Sequence, residues 1–411
     1  MIRFESVRIG DLGKVVTGKT PKTEDADNFG NDYMFIGPTD LHKHFFISKS
    51  ERMISHKGLA SIKSNSLNGL SILVGCIGWD MGNVGIVEGR CATNQQINAI
   101  TNVKVKYNPL YIYYWLKTKK DFLFSQASVT RTPILNKTIF SDIKINLPVE
   151  KSTQNKVVNL LASIDKKLEL NNRINAELEA MAKTLYDYWF VQFDFPDANG
   201  KPYKSSGGKM VYNPALKREV PERWSVASLV DIASFKNGIA CQRYFPKDDE
   251  IGVYKVIKIR EFSSGLDENS DIVVADIPED LVIQDGDILF SWSATLDVKI
   301  WAGGIGALNQ HIFKVDSSDY PKSFFYFKVL GYLEYFKMVA ELRKTTMGHI
   351  TREHLEQSRI PLPPKKLIEK LDLMLSPTLE KIVIRNKESQ QLAKLRDWLI
   401  PMLMNGQVTV V

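Results

Sequence analysis

The sequence predicts an α+β fold: two tandemly repeated β-rich domains joined by two long helices that pair as an antiparallel coiled coil, with pseudo-two-fold symmetry. Three observations predict it. The hexapeptide Ala-Thr-Asn-Gln-Gln-Ile at residues 92–97 returns as Ala-Leu-Asn-Gln-His-Ile at residues 307–312. Around it, similarity runs in order along the whole chain at an offset of about 215 positions. Each β-rich copy closes on a Leu-Pro, and a long segment with coiled-coil spacing of apolar residues follows each.

The repeat can be followed block by block. Residues 4–7 and 11–12 align with 224–227 and 231–232, Thr17-Gly18 with Asn237-Gly238, 33–36 with 254–257, and 72–74 with 288–290. Beyond the hexapeptide, the aromatic-rich run 110–116 meets 324–330, and Ile-Asn-Leu-Pro at 145–148 meets Ile-Pro-Leu-Pro at 360–363. A period this long is a duplicated domain-sized module rather than a solenoid unit. Within each copy, short β-rich runs are broken by Gly, Asn, Asp and Ser. One aromatic helix is predicted in each, over 109–124 and 320–336. The expected segments are 1–150, a first recognition-sized domain; 151–222, a helical spacer with linker; 223–364, the second domain; and 365–411, the C-terminal helical spacer.

The helices are read from their spacing. From Ser152 to Trp189 there is no Pro and no Gly. Val157, Leu161, Ile164, Leu168, Asn171, Asn175, Leu178, Ala182 and Leu185 alternate steps of four and three, which traces a coiled-coil seam. The second segment offers Leu379, Val383, Asn386, Gln390, Ala393 and Ile400. Each seam thus carries two neighbouring polar positions, Asn171/Asn175 and Asn386/Gln390, of the kind that costs stability and fixes register. Both pairs lie mid-helix, so antiparallel pairing would bring them together. The alternative is two amphipathic helices, each packed on its own domain. Pro377 predicts a late start or a kink in the second helix, and residues 195–221 read as an irregular linker.

Bulk composition narrows the class. A chain of 411 residues exceeds one ordinary core. No apolar run reaches the roughly 18 residues of a membrane span, and the N-terminus has no apolar signal core, so a cytoplasmic protein with no membrane partner is expected. Three cysteines, Cys76, Cys91 and Cys241, with no Cys-x-x-Cys pair fit reduced thiols rather than disulfides or zinc. A net charge of +7 is spread along the chain and is compatible with nucleic acid.

The motifs of several enzymes are missing. There is no Gly-x-x-x-x-Gly-Lys-Ser/Thr phosphate loop, no Gly-x-Gly-x-x-Gly opening a helix and no Gly-x-Ser-x-Gly elbow. The Asp/Asn-Pro-Pro-aromatic loop of amino-methyltransferases is also missing; Asn108-Pro109 and Asn213-Pro214 lack the second proline. Pro278-Glu279 with Asp297-Val298-Lys299 loosely resembles the carboxylate-and-lysine pattern of metal-dependent nucleases, in which carboxylates hold a divalent cation and lysine steadies the attacking water. His42-x-His44 has no third ligand in view. No metal site is therefore expected.

Polar, basic and aromatic residues cluster in loops instead. The first copy has Thr17, Lys19, Thr20 and Lys22, then Lys43 between His42 and His44, then Trp79, Asp80 and Asn83, and Arg131. The second has Lys236, Asn237, Gln242, Arg243 and Tyr244, Arg260, Trp292, Ser293 and Thr295, and Lys344 and Thr345 between Arg343 and Thr346. Arg, Lys, Asn and Gln read base edges, and Ser, Thr and Lys hold phosphates. Singly, each is as well explained as a solvated loop residue. Their recurrence at corresponding places favours double-stranded DNA as the partner.

After the first Leu-Pro come Ile-Asp-Lys-Lys-Leu-Glu-Leu-Asn-Asn-Arg-Ile-Asn (164–175), Leu-Tyr-Asp-Tyr-Trp-Phe-Val-Gln-Phe-Asp-Phe-Pro (185–196), Asn-Gly-Lys-Pro-Tyr-Lys-Ser-Ser-Gly-Gly (199–208) and Pro-Glu-Arg-Trp (221–224). With the repeat, this resembles the DNA-specificity (S) subunit of type I restriction-modification systems over the whole chain. Phe4 departs from the usual Pro-x-x-Trp entry. The resemblance implies two target-recognition domains, each reading half of a split, asymmetric site. It also implies a helical spacer that sets the gap and docks two methyltransferase (M) subunits, with restriction (R) subunits added for cleavage. S-adenosylmethionine, ATP and Mg would belong to those partners and none to this chain, a non-catalytic subunit directing adenine methylation. A stand-alone DNA-binding or coiled-coil adaptor and a metal-dependent nuclease are the alternatives.

The repeated Asn-Gln looks at first like a base reader. Two domains that read different half-sites cannot do so with residues they share. The pair is therefore assigned mainly to the fold, with phosphate contact second, and readout to places where the copies differ.

Overall fold

Two copies of one strand order are laid down along the chain. In the first, Lys14–Thr17, Ile97–Thr101, Ser71–Gly75 and Val84–Val87 lie side by side in that order, every pair antiparallel. In the second, Ser234–Asn237, Ile312–Asp316, Ile288–Ser291 and Asp297–Ile300 repeat the order. The computed structural model describes residues 2–42, 45–129, 131–247, 251–342 and 349–410.

The strands Ser71–Gly75 and Ile288–Ser291 are buried along their whole length and mostly apolar because both of their faces are covered. Ile72 and Val74 point into a core with Tyr111, Tyr114 and Phe140, whereas Leu73 points into a second core with Ile36 and Val87. Ile288 and Phe290 likewise join Phe324 and Phe336, while Leu289 joins Trp301 and Ile257. A second sheet supplies the other cover. In the first copy Phe29–Ile36 pairs antiparallel with Arg52–Ile54 and parallel with Ala92–Thr93. In the second, Tyr254–Ile257 lies between Ile272–Val273 and a parallel Gly306–Leu308, which also pairs with Val282–Ile283.

This arrangement explains the repeated hexapeptide. Each copy of it begins in the parallel strand of one sheet and ends in the antiparallel strand of the other, so it is the crossover between sheets. The crossover is hydrogen-bonded alike in both: Asn94 N donates to Ile36 O and Ile97 N to Asn94 O; Asn309 N donates to Ile257 O and Ile312 N to Asn309 O. Glycine is required where another segment crosses this backbone. A Cβ on Gly18 would lie 2.0 Å from the Asn94 carbonyl oxygen, and one on Gly238 2.1 Å from that of Asn309.

Contacts group the chain into two units, Met1–Leu170 with Leu392–Val411, and Asn171–Gln391. Each unit holds one β-rich block and part of both long helices, Lys151–Phe190 and Lys365–Met404. In the first unit Val157, Leu161 and Ala162 share a core with Ile400, Leu403 and Met404, and Ile164 is also buried. Leu168 is half-buried. In the second, Leu178 and Ala182 pack with Leu375, Leu379 and Ile382, and Val383 is half-buried. Here the direction is antiparallel: Asn171 Nδ2 donates to Ser389 Oγ and Asn175 Nδ2 to Asn386 Oδ1.

Several expectations are corrected. Asn171 is met by Glu388 and Ser389 rather than by Gln390, because a helix turning every 3.6 residues takes a short step there. The second long helix starts at Lys365 and continues past Pro377, held on either side by buried Leu375 and Leu379. The first aromatic helix ends at Lys117, where the Thr118 hydroxyl bonds back to the Trp115 carbonyl, and a separate helix follows at Lys120–Ser125. Its counterpart runs on to Leu342. The linker contains a hairpin, Met210–Asn213 with Arg218–Pro221, turned by Asn213 Oδ1 accepting the Ala215 and Leu216 amides.

Candidate nucleic-acid interface

The four-stranded sheet of each unit gathers its variable loops at one end. In the first unit Thr17 ends its strand opposite Asn98, Gly75 ends opposite Ile97, and Val84 begins opposite Val74. The loops holding Lys19, Thr20 and Lys22, residues 76–83, and residues 94–96 therefore emerge together. In the second unit the same geometry brings out residues 238–247, 292–296 and 309–311.

Thr17 Oγ1 donates to Asn98 Oδ1 at 2.7 Å, and Thr20 Oγ1 to Gln95 Oε1 at 2.7 Å. Lys19 and Lys22 are exposed and held by backbone alone: Lys19 N donates to Thr93 O, and Lys22 O accepts from Asn28 Nδ2. Trp79 is 71% exposed, with its ring 6.2 Å from that of Phe124. Beside it, Asp80 bridges Lys120 at 2.6 Å and His42 at 3.0 Å, and Asn83 accepts from Lys120 at 3.0 Å. The Lys120 ammonium holds the Asp80 carboxyl below its ordinary range. Arg131 is exposed, and Gly78 N donates to Pro133 O, so its segment borders the Trp79 loop. Lys43 lies outside the described residues.

The second unit presents a different surface on the same frame. Trp292 is half-buried, with its ring tilted against those of His311 and Phe313, both at 5.6 Å, and edge-on to that of His349 at 6.0 Å, and its indole donates to Asn237 Oδ1 at 3.0 Å. Ser293 is buried and Thr295 exposed. Gln242 and Arg243 are exposed on a short turn, with Tyr244 half-buried at its end. Lys236 is paired with Asp280 at 3.1 Å. Arg260 is neutralised within its own unit by Glu261 and by both oxygens of Asp267 at 3.0 Å, which together raise its pKa. It has no free fork for DNA. Lys344 and Thr345, like Arg343 and Thr346, lie outside the described residues.

Lys120 and His311 also border these loops, Lys120 through Asp80 and His311 through Trp292, although the sequence does not single them out. Lys120 sits in an aromatic run that reads as core, and His311 lies within the repeated hexapeptide; only the fold turns them toward the loops. The nuclease pattern is not assembled. Lys299 Nζ donates to the Phe262 carbonyl and lies 4.2 Å from that ring, while Glu279 stands in a separate turn. Among the described residues, no group of three or more His, Cys, Asp or Glu could hold a metal. Burial pushes the thiols of Cys76 and Cys91 up to about 12 and that of Cys241 to about 11, so all three stay protonated. No described helix is long and apolar enough to cross a membrane.

Known proteins share this architecture. The family model for the type I restriction modification DNA specificity domain matches residues 1–180 and 221–394. The chain is 28% identical over 418 residues to the type I restriction enzyme MjaIX specificity subunit of Methanocaldococcus jannaschii, covering 98% of this chain and 93% of that one. It is 27% identical over 436 residues to the MjaVIII specificity subunit of the same organism, covering 99% and 93%. A crystal structure of the type I restriction-modification S subunit from M. genitalium shares the fold, with a TM-score of 0.60 at 15% identity over 98% of this chain and 96% of that one. The class is thus a duplicated DNA-recognition protein that does no catalysis of its own. The chain belongs to the family of type I restriction-modification specificity subunits.

Proposed function

We propose that each β-rich block reads one half of a bipartite, asymmetric DNA site, and that the chain works inside a complex with two M subunits and, for restriction, R subunits. The observation that carries this reading is the pairing of a common frame with unlike loops. The crossover and sheet registers coincide, whereas Trp79-Asp80 faces solvent in one copy and Trp292-Ser293 is packed in the other. Readers of different sequences need that combination, since phosphate contacts position and base contacts specify.

The two long helices act as spacer and docking surface in this reading. Each has 40 residues, about 60 Å at 1.5 Å per residue. Half-sites entered from one face of the duplex lie about 10 base pairs apart, centre to centre, with the gap unread. S-adenosylmethionine, ATP and Mg belong to the partner chains, and the complex works in the cytoplasm. Purification of the complex from its host, followed by native mass measurement, tests the assembly. One copy of this chain with two methyltransferase chains is expected; a chain that purifies alone and still binds DNA specifically would overturn it.

A further inference from the structure

The crossover accounts for the backbone of the repeated Asn-Gln and leaves its glutamine side chains unused. Gln95 and Gln310 occupy the same place in the two units. The residue before each, Asn94 or Asn309, donates its amide to Ile36 or Ile257 and accepts from Ile97 or Ile312. Both glutamines stand where the loops emerge, Gln95 exposed and Gln310 half-buried. Their neighbours are not shared.

The adjoining segments are aligned by their own backbone bonds. Lys19 N donates to Thr93 O and Ile239 N to Leu308 O, so Thr20 in the first unit corresponds to Ala240 in the second. Thr20 Oγ1 donates to Gln95 Oε1 at 2.7 Å. Hydroxyl-to-oxygen bonds are usually about 2.7–2.8 Å and amide-to-oxygen bonds about 2.9–3.0 Å, so the carbonyl end of Gln95 faces Thr20. Its amide hydrogens are left without a partner among the described residues. Gln96 does not compete for them, because its own Oε1 accepts from Asn94 Nδ2 at 2.9 Å.

In the second unit Ala240 has no hydroxyl to donate, and His311 stands where the first unit has Gln96. Gln310 Nε2 lies 3.4 Å from His311 Nε2. An amide nitrogen offers only hydrogens, so it faces the ring nitrogen in its unprotonated form. Gln310 Oε1 is then left without a donor among the described residues. Two unlike neighbours thus turn one shared side chain in opposite senses.

We propose, resting on the bipartite reading above, that this glutamine reads opposite base edges in the two blocks. Gln95 donates to the exocyclic oxygen of a keto base, guanine or thymine. Gln310 accepts from the exocyclic amine of an amino base, adenine or cytosine. The two classes differ at that atom in the major groove: guanine O6 and thymine O4 accept, whereas adenine N6 and cytosine N4 donate. Thr20 and His311 are positioning residues, which fix the end of the amide that is presented. A residue common to both blocks can therefore read differently in each.

The test measures binding of the complete complex to DNA randomised across both half-sites. The wild-type chain favours a keto base about tenfold at one position of the first half-site, and an amino base about tenfold at one position of the second. Thr20→Val frees the amide to turn and removes the first preference without changing the second half-site; Thr20→Ser keeps it. Gln95→Glu, which puts an oxygen in place of the amide donors, also loses the keto preference. Ala240→Thr with His311→Gln gives Gln310 the neighbours of Gln95 and shifts the second preference toward a keto base. If Gln95→Ala and Gln310→Ala keep every base preference and lower affinity equally for all sequences, the glutamines are phosphate contacts and the proposal is overturned. A wild-type complex that selects no split site overturns the bipartite reading itself.

Discussion

Asp165 and Arg396 form an ion pair at 2.9 Å in the first unit, although 231 positions separate them in the chain. Asp165 is 2% exposed and also accepts from the Tyr114 hydroxyl at 2.6 Å, so long helix, partner helix and recognition block meet on one carboxylate. Removing the cation leaves a buried charge. Arg396→Met is expected to destabilise the first unit by roughly 3–5 kcal/mol, and adding Asp165→Asn to recover most of it. Urea unfolding of the two variants checks this; equal losses in both would contradict it.

The polar layer of the second unit behaves differently. The Oδ1 atoms of Asn171 and Asn175 are buried without a hydrogen-bond partner, so the layer is only partly satisfied. Asn175→Leu alone strips Asn386 of its donor and is expected to cost about 1–3 kcal/mol. Pairing it with Asn386→Leu is expected to restore or exceed wild-type stability. A double-mutant cycle reads the coupling directly, and a double variant less stable than the single would contradict it.

Lys328 gives the second unit a pH dependence. It is buried with its ammonium 5.5 Å from the Phe324 ring and 5.6 Å from that of Tyr186. Burial, aided by Arg218 and opposed by Asp187, lowers its pKa to about 7 from 10.5. Between those values the unfolded chain binds the extra proton, so stability rises with pH from about 7 to 10.5, and below 7 the full penalty is present. Lys328→Met is expected to stabilise the unit at pH 6.5 by roughly 2–4 kcal/mol and to flatten this slope. Guanidinium unfolding at pH 6.5 and 9.5 measures both; an unchanged slope would count against it.

Loop residues separate readers from framework. Trp79→Ala, at a 71% exposed site, is expected to leave stability unchanged while weakening DNA binding by about 1–3 kcal/mol. Arg260→Ala is expected to leave DNA affinity unchanged, because its guanidinium is already held by Glu261 and Asp267. Binding isotherms for the assembled complex, at one salt concentration, distinguish the two.

Much of the architecture was legible in the sequence because duplication writes it twice. Apolar spacing from Val157 to Leu185 marks a buried stripe, and Asn175 meets Asn386 in the helix pair. The Asn-Gln repeat proved to be backbone geometry: Gly18 and Gly238 cross it too closely for any side chain. What could not be read were choices between near-equal partners. Ser389 and Gln390 differ by one position on a helix, and only the packed register selects Ser389. Arg260 looked like a reader because a sequence does not show that Asp267 folds back onto it. Trp79 and Trp292 align, yet one is solvent-facing and the other packed against His311 and Phe313.

The central claim is that two blocks read two half-sites independently. Single-molecule methylation sequencing of DNA from cells expressing the complete complex tests it most directly, with the wild-type chain and with residues 1–150 replaced by those of a relative. A split methylated-adenine motif of fixed gap is predicted, with one half altered and the other retained in the chimaera. A contiguous motif, or loss of both halves together, would contradict it.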